Sequence, residues 1–272
     1  MSTKILTLVS YNIQNGVYEE SIIKNIHTLI AEGVDVFCLQ ETRVIKPKFI
    51  CDRLKNELGS EWQVEYFLGD KNPRIDVGLT MIWKTAKLKL KNLEKILLPK
   101  LESLNFYERY ITSVPKPPQR GAMIASFYIN GSELRITNLH LDWQGGVSQR
   151  MNQVEYLASH LRKNSNIINE IIAGDFNTIG GKKSSISQRD RIKQILKNNF
   201  IEALPDLKWT SDGASIDPAR GFSNFQKLLV RFGIRFHQRL DYLFVKGIKL
   251  KEVKMEKMEG SDHYPLVITF EV

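Results

Sequence analysis

Sheets covered by helices, in a mixed α/β arrangement, form the fold class that the sequence predicts, and three observations carry it. Strand-like apolar runs outnumber helical stretches along the 272 residues. The two kinds are interspersed irregularly, without the strict alternation of a repeating βα barrel. Carboxylates, amides and histidines recur where the strand-like runs stop. A chain of this length buries a substantial core, and no Pro/Gly/Ser-rich linker, internal repeat or low-complexity tract divides it, so one domain over residues 1–272 is expected.

In chain order, strands are predicted over Ile5 to Tyr11, Val36 to Gln40, Gln63 to Leu68, Val77 to Trp83, Leu88 to Leu93, Met123 to Ile129, Leu134 to Leu139, Ile167 to Ala173, Leu240 to Val245, Leu250 to Met255 and Leu266 to Phe270. Helices are expected over Glu19 to Glu32, Pro47 to Leu58, Ser148 to Lys163 and Gln188 to Asn198. The third shows its reason most clearly, because Met151, Val154, Leu157, Ala158 and Leu161 recur at helical spacing. Asn130-Gly131 between two strand-like runs reads as a hairpin turn.

The formal net charge of +9 and a pI near 9.4 favour polyanionic partners. Part of that charge has a plainer reading: the lysines of Lys87-Leu-Lys-Leu-Lys91 and Lys249-Leu-Lys251 alternate with apolar residues, as on exposed edge strands that resist edge-to-edge pairing. No secretory signal and no run of membrane-spanning length is present, which predicts a soluble, unexported protein without membrane insertion. Cys38 lies in an apolar run and reads as a buried free thiol; with Cys51 as its sole companion, a reducing cytoplasmic location is expected.

The polar insertions at strand ends carry the chemistry. Ser261-Asp262-His263-Tyr264-Pro265 places a carboxylate beside an imidazole just before an apolar run, where acid/base chemistry can operate. Tyr11-Asn12, Gln40-Glu41, Asn138-Leu139-His140, Gly174-Asp175-Phe176-Asn177 and Arg239-Leu240-Asp241-Tyr242 occupy equivalent positions at the ends of other runs.

In order and identity, this series resembles the endonuclease/exonuclease/phosphatase superfamily, whose members include pancreatic-type deoxyribonucleases and abasic-site endonucleases. The resemblance extends from Asn12 to His263. It implies a four-layer α/β sandwich, two mixed β-sheets packed face to face and flanked by helices, with the catalytic groups gathered at one end. It also implies metal-dependent phosphate-ester hydrolysis. Hard oxygen ligands suit Mg²⁺, with Mn²⁺ as the alternative, so Glu41, Asn12 and Asp262 are the expected metal ligands. Asp175 is expected to orient or deprotonate the attacking water. Asn177, two residues on and on the same side of an extended segment, would hold the water or the phosphate. Asp241 is the expected carboxylate partner of His263, fixing its tautomer and favouring its protonated form. His140 is expected on the far side of the phosphate with Asp76 as its partner, and Arg120 near the phosphate. His27, His160 and His237 are read as structural.

The substrate reading rests on Lys227 to Arg239, where Arg231, Arg235 and Arg239 interleave with Phe232 and Phe236 directly before Asp241. Arginines hold phosphates and aromatics stack on bases, so Arg231 and Arg235 are expected substrate contacts, with Trp143 as a further stacking residue. The plainer alternative is an amphipathic segment whose Phe side chains enter the core. A Mg²⁺-dependent nuclease or DNA-repair phosphodiesterase acting on nucleic acid is the leading expectation. The alternatives are a phosphatase or phosphodiesterase of inositol phosphates, phospholipid headgroups or other small esters, and a catalytically silent nucleic-acid-binding scaffold. Arg74 to Lys84 replaces the Ser-Gly-x-Gly segment of the abasic-site enzymes, which argues against abasic-site specificity. Nothing in the sequence sets the oligomeric state.

Overall fold

The computed structural model describes residues 4–43, 50–69, 77–103, 119–163, 166–197, 200–213 and 236–272. Two six-stranded sheets stack face to face. The first runs from edge to edge as β13 (Lys249–Met255), β14 (Leu266–Glu271), β1 (Ile5–Asn12), β2 (Val36–Arg43), β4 (Val77–Lys84) and β3 (Trp62–Phe67). The second runs as β5 (Lys89–Leu97), β6 (Gly121–Ile129), β7 (Ser132–His140), β8 (Asn169–Asp175), β12 (Asp241–Lys246) and β9 (Ile201–Glu202). Helices α1 (Glu19–Ala31) and α2 (Ile50–Leu58) cover the first sheet, and α3 (Gly146–Arg162) and α4 (Lys182–Leu196) cover the second.

Strand alternation explains the layers. On β6, Met123, Ala125 and Phe127 enter the core between the sheets while Ala122 and Ile124 face the helices. Trp83 and Phe127 meet edge to face across the sheets with ring centroids 5.4 Å apart. Truncating a ring in such a position, as in Phe127→Ala, costs about 3–5 kcal/mol. Ile22, Ile26 and Leu29 of α1 and Leu157, Ala158 and Leu161 of α3 supply the outer layers.

The two sheets repeat one plan. Each holds a single parallel pair at its centre, β1 with β2 and β7 with β8, and every other pairing is antiparallel. Parallel neighbours end on the same side, so Asn12, Glu41, His140 and Asp175 all fall at or near the carboxyl ends of these four strands. Open α/β sheets place their ligands at that end. An amide clamp joins the sheets just beneath it: Asn138 Nδ2 donates to the carbonyls of Leu39 and Thr80, each at 3.0 Å, and Gln40 Nε2 donates to Asn138 Oδ1 at 2.7 Å. Gln40 and Asn138 therefore hold the sheets together at full burial.

The expected strands are all present, with ends shifted by a few residues. The Asn130-Gly131 turn is formed with both residues at positive φ, 47° and 85°, as a two-residue hairpin requires. The lysine-rich β5 and β13 are the exposed edges expected of them. Helix α4 starts at Lys182 instead of Gln188, because its first turns are exposed and carry no apolar periodicity; only Gln188, Ile192 and Leu196 are buried. The expected helix start at Pro47 and the end at Asn198 lie outside the described residues. Three two-residue strands escape the pattern: β9, and the ribbon of β10 (Ser211–Asp212) with β11 (His237–Gln238). Both cysteines are buried free thiols, and among the described residues no helix is long and apolar enough to cross a membrane.

Candidate active site

Local backbone features aim the side chains at the strand ends. β2 bulges against β4 between Gln40 and Thr42, and Glu41 sits in this bulge at φ 55°, a left-handed conformation uncommon for glutamate. Gly174 on β8 has φ 148°, and a Cβ there would lie 2.0 Å from the Leu139 carbonyl of β7. That requirement explains the glycine before Asp175. Asn177 reaches the site by a turn, correcting the extended arrangement expected from sequence. Its φ is 49°, and its backbone N–H donates to Asp175 Oδ1 at 2.8 Å.

Asp175 is the hub. Its Oδ2 accepts from Asn12 Nδ2 at 2.9 Å and lies 3.5 Å from His140 Nε2. Glu41 stands 3.9 Å from the same imidazole nitrogen. The Asn177 side-chain amide abuts His140 Nε2 at 3.0 Å and donates to the Leu141 carbonyl at 2.8 Å. Burial, followed by the charge of Asp241, pushes the Asp175 carboxyl up to about 7.

His140 and His263 flank this hub with different partners. Arg120 contacts His140 Nδ1 at 3.2 Å. A guanidinium and an amide nitrogen can only donate, so Arg120 at Nδ1 and Asn177 Nδ2 at Nε2 both turn donors toward the ring, an environment that disfavours a protonated imidazole. Burial lowers the His140 pKa well below the usual value, and the charges of Arg120 and His263 lower it further. Arg120 is itself 8 % exposed and ion-paired to Asp142 at 3.2 Å. Asp142 accepts from Gln149 and Gln153 of α3, at 3.3 and 2.7 Å. Arg120 thus enters the cluster through His140. Asp76, the expected partner, lies outside the described residues.

His263 meets the opposite environment. Its Nδ1 is 2.8 Å from Asp241 Oδ2, the pairing expected from sequence. Burial alone would lower its pKa; Asp241 by charge and hydrogen bond, with Asp262 and Asp175, outweighs burial and raises it well above the usual value. Asp241 is held in turn by Thr210, whose hydroxyl donates to Oδ2 at 2.7 Å and accepts from the N–H groups of Leu240 and Asp241 at 2.9 and 3.0 Å. Ser261 ties the motif to β1, donating to the Asn12 carbonyl at 2.6 Å and accepting from His263 N–H at 3.1 Å.

The structure thereby brings together Asn12, Glu41, His140, Asp175, Asn177, Asp241 and His263, with Asp262 close enough for its charge to raise the Glu41 carboxyl behind the larger effect of burial. Among the described residues no hydrogen bond or ring contact joins Trp143 to this cluster; its carbonyl accepts from Arg150. Arg231 and Arg235 lie outside the described residues. His27 and His160 pair with Glu57 and Glu94 away from the site, and His237 stacks on Trp209, as their structural reading required. Thr210, Asp142, Gln149 and Gln153 were missed. A carboxylate two residues after the strand that carries His140 was the one available signal for Asp142.

Glu41, Asp175, Asp241 and Asp262 crowd four carboxylates into one end of the sandwich, Asp175 and Asp241 being buried, and among the described residues Asp241 Oδ1 has no hydrogen-bond partner. Donor groups of Glu41, His140 and Asp175 lie within 4.8 Å of one another, as do those of Asp175, Asp241 and His263. Such an excess of hard anionic oxygens fits a divalent cation.

No family model matches the sequence and no curated protein resembles it. Solved structures do. An endonuclease/exonuclease/phosphatase family protein of Bacteroides thetaiotaomicron superposes with a TM-score of 0.70 at 16% identity, over 100% of this chain and 99% of that one. D. rerio TDP2, complexed with a single-strand DNA product, gives 0.70 at 15% identity over 99% and 100%. A mannosyl-6-phosphatase of Bacteroides thetaiotaomicron gives 0.67 at 15% identity over 97% and 99%. At such identities the likeness is one of fold, and the fold of this chain is that of the endonuclease/exonuclease/phosphatase proteins, the superfamily that its motifs resemble.

Proposed function

We propose that the protein is a divalent-metal-dependent phosphoesterase that cleaves phosphodiester bonds in nucleic acid. The observation that carries the reading is the protonation pattern around Asp175: a carboxyl near 7, a neutral His140 on one side and a positively charged His263 on the other. A base and an acid set apart by environment within one cluster suit hydrolysis of an ester.

In this reading Asp175 takes a proton from the attacking water, which Asn12 and Asn177 help to position. His263, with Nδ1 fixed by Asp241, presents Nε2–H to the phosphate and stabilises charge on its oxygens. His140, kept neutral, faces the phosphate from the opposite side through Nε2. Glu41, Asn12 and Asp262 would hold Mg²⁺ or Mn²⁺. When bound, that ion supplies charge neutralisation on the non-bridging oxygens. The charge of +9 and the single-strand DNA product bound by the D. rerio neighbour support nucleic acid as substrate.

The test is hydrolysis of a panel of single-stranded and duplex oligonucleotides and small phosphate esters in Mg²⁺, Mn²⁺ and EDTA. Cleavage of oligonucleotides with either metal and none in EDTA is expected. Cleavage of small esters alone would transfer the assignment to a phosphatase, and no turnover on any ester would leave a nucleic-acid-binding scaffold.

A further inference from the structure

Beside the cluster lies a second cleft that the chemistry above does not use. It has a volume of about 350 Å³ and opens between the start of α4 and the turn at residues 205–208. Its basic lining is Lys182, Arg189, Lys208 and Arg239, against a single acid among the described residues, Asp206. The apolar part of the wall includes Ile186, Leu207 and the ring of Tyr242.

Arg239 builds this cleft. Its guanidinium lies over the Tyr242 ring at 4.9 Å and donates to the carbonyls of Pro205 and Leu207 at 3.1 and 2.6 Å, to the Leu204 carbonyl at 2.5 Å and to Glu202. Those bonds curl the chain into the turn that forms one wall. The side chain is 9 % exposed, and among the described residues its buried Nε has no hydrogen-bond partner. Among the described residues no ion pair or hydrogen bond engages the ammonium groups of Lys182 or Lys208. His237, another wall residue, stacks flat on Trp209 with ring centroids 4.2 Å apart.

The cleft adjoins the catalytic end. Thr178, next to Asn177, donates to the Arg239 carbonyl at 2.6 Å and contacts the Tyr242 hydroxyl at 3.0 Å. Arg239 and Tyr242 in turn flank Asp241 along the chain. Thr178, itself buried, thus ties the wall of the cleft to the turn that carries Asn177.

Resting on the phosphoesterase reading, we propose that this cleft holds a second phosphate of the same substrate, flanking the one that is cleaved, with Lys182 and Lys208 as its charge partners. The shared chemistry is a phosphate group beside an apolar moiety, carried by the next nucleotide of a strand or by a small bisphosphorylated ester.

The experiment compares wild type with Lys182→Ala/Lys208→Ala, both substitutions being at exposed positions, on a short single-stranded oligonucleotide, a sugar bisphosphate and bis(p-nitrophenyl) phosphate, which carries one phosphate. KM for the substrate that uses the cleft should rise about tenfold with kcat kept within about twofold, and bis(p-nitrophenyl) phosphate should be unaffected. The substrate that shows the rise identifies the source of the second phosphate. Binding of the labelled oligonucleotide in EDTA should lose about one to two units of the slope of log K against log[salt]. Lys182→Arg/Lys208→Arg should restore KM. Equal losses on the one-phosphate substrate, or no change on any substrate and no change in slope, would overturn the proposal. A wild-type protein that hydrolyses nothing yet loses salt-dependent binding in the double variant would sink the phosphoesterase reading and leave the cleft assignment standing.

Discussion

His140 and His263 occupy one cluster, are both buried, and are driven to opposite protonation states. The difference lies in what stands behind each ring. An arginine, fixed by a fully buried Asp142, faces Nδ1 of His140. A carboxylate, fixed by Thr210, faces Nδ1 of His263. Burial penalises charge on both rings, so the partner's sign decides the outcome. Two copies of one residue type thereby serve as a neutral imidazole and a cation, and Asp175 between them is left with a carboxyl near 7.

The comparison breaks most completely if the carboxylate behind His263 loses its charge. Asp241→Asn and His263→Ala should each lower kcat by about 10³–10⁴, and the double variant should be little worse than either. Additive losses in steady-state kinetics would show that the pair does not act as a unit. Because Asp241 keeps the His263 imidazole charged beyond its ordinary range, Asp241→Asn should also move the alkaline limb of the rate profile to lower pH.

Asp175→Asn ranks next, with a loss of about 10²–10⁴. It also has a stability signature. A carboxyl raised to about 7 costs nothing below about pH 4, where it is protonated in the folded and the unfolded chain alike, and costs progressively more stability as pH rises from there to about 7, where the loss levels off. The Tm of the metal-free protein should therefore fall between about pH 4 and pH 7, Asp175→Asn should flatten that slope, and EDTA should lower Tm more at pH 8 than at pH 6.

On the other flank, Arg120→Met removes the cation behind His140 and strands Asp142. Breaking a buried pair by deleting one partner costs about 3–5 kcal/mol, measurable by urea unfolding. The His140 pKa should rise, visible as an imidazole that titrates at higher pH by NMR. An unchanged titration would separate Arg120 from the control of His140.

The smallest effect belongs to Thr210→Val, which keeps the shape and deletes the hydroxyl beneath Asp241. It should destabilise by about 1–3 kcal/mol, because the Asp241 carboxylate loses a donor and two backbone N–H groups lose their acceptor. Activity should fall less than in Asp241→Asn.

What the sequence made legible follows the same division. Strands announce themselves through apolar runs, and the residues at their ends are adjacent in sequence to those runs, so Asn12, Glu41, His140, Asp175, Asp241 and His263 could be found before the fold was seen. The Asp241–His263 pair was readable because the motif series supplied its pairing. The Arg120–His140 pair was not, since nothing local links a buried arginine before β6 to an imidazole at the end of β7. Thr210 stayed hidden for a related reason: it precedes a strand of two residues, too short for any periodicity. Bulges and turns at Glu41 and Asn177 are backbone decisions set by cross-strand register, which a single chain does not display.

The bond from Ser261 to the Asn12 carbonyl joins residues 249 positions apart, and β14 pairs directly with β1. The N-terminal strand must therefore wait for the C-terminal one before the cluster around Asp175 can close. During synthesis, which proceeds from the N-terminus, a ribosome-bound chain would carry nearly every catalytic side chain and remain inert. Hydrolytic competence would switch on only after β14 has left the exit tunnel, which keeps a half-made hydrolase from acting on phosphate esters around it.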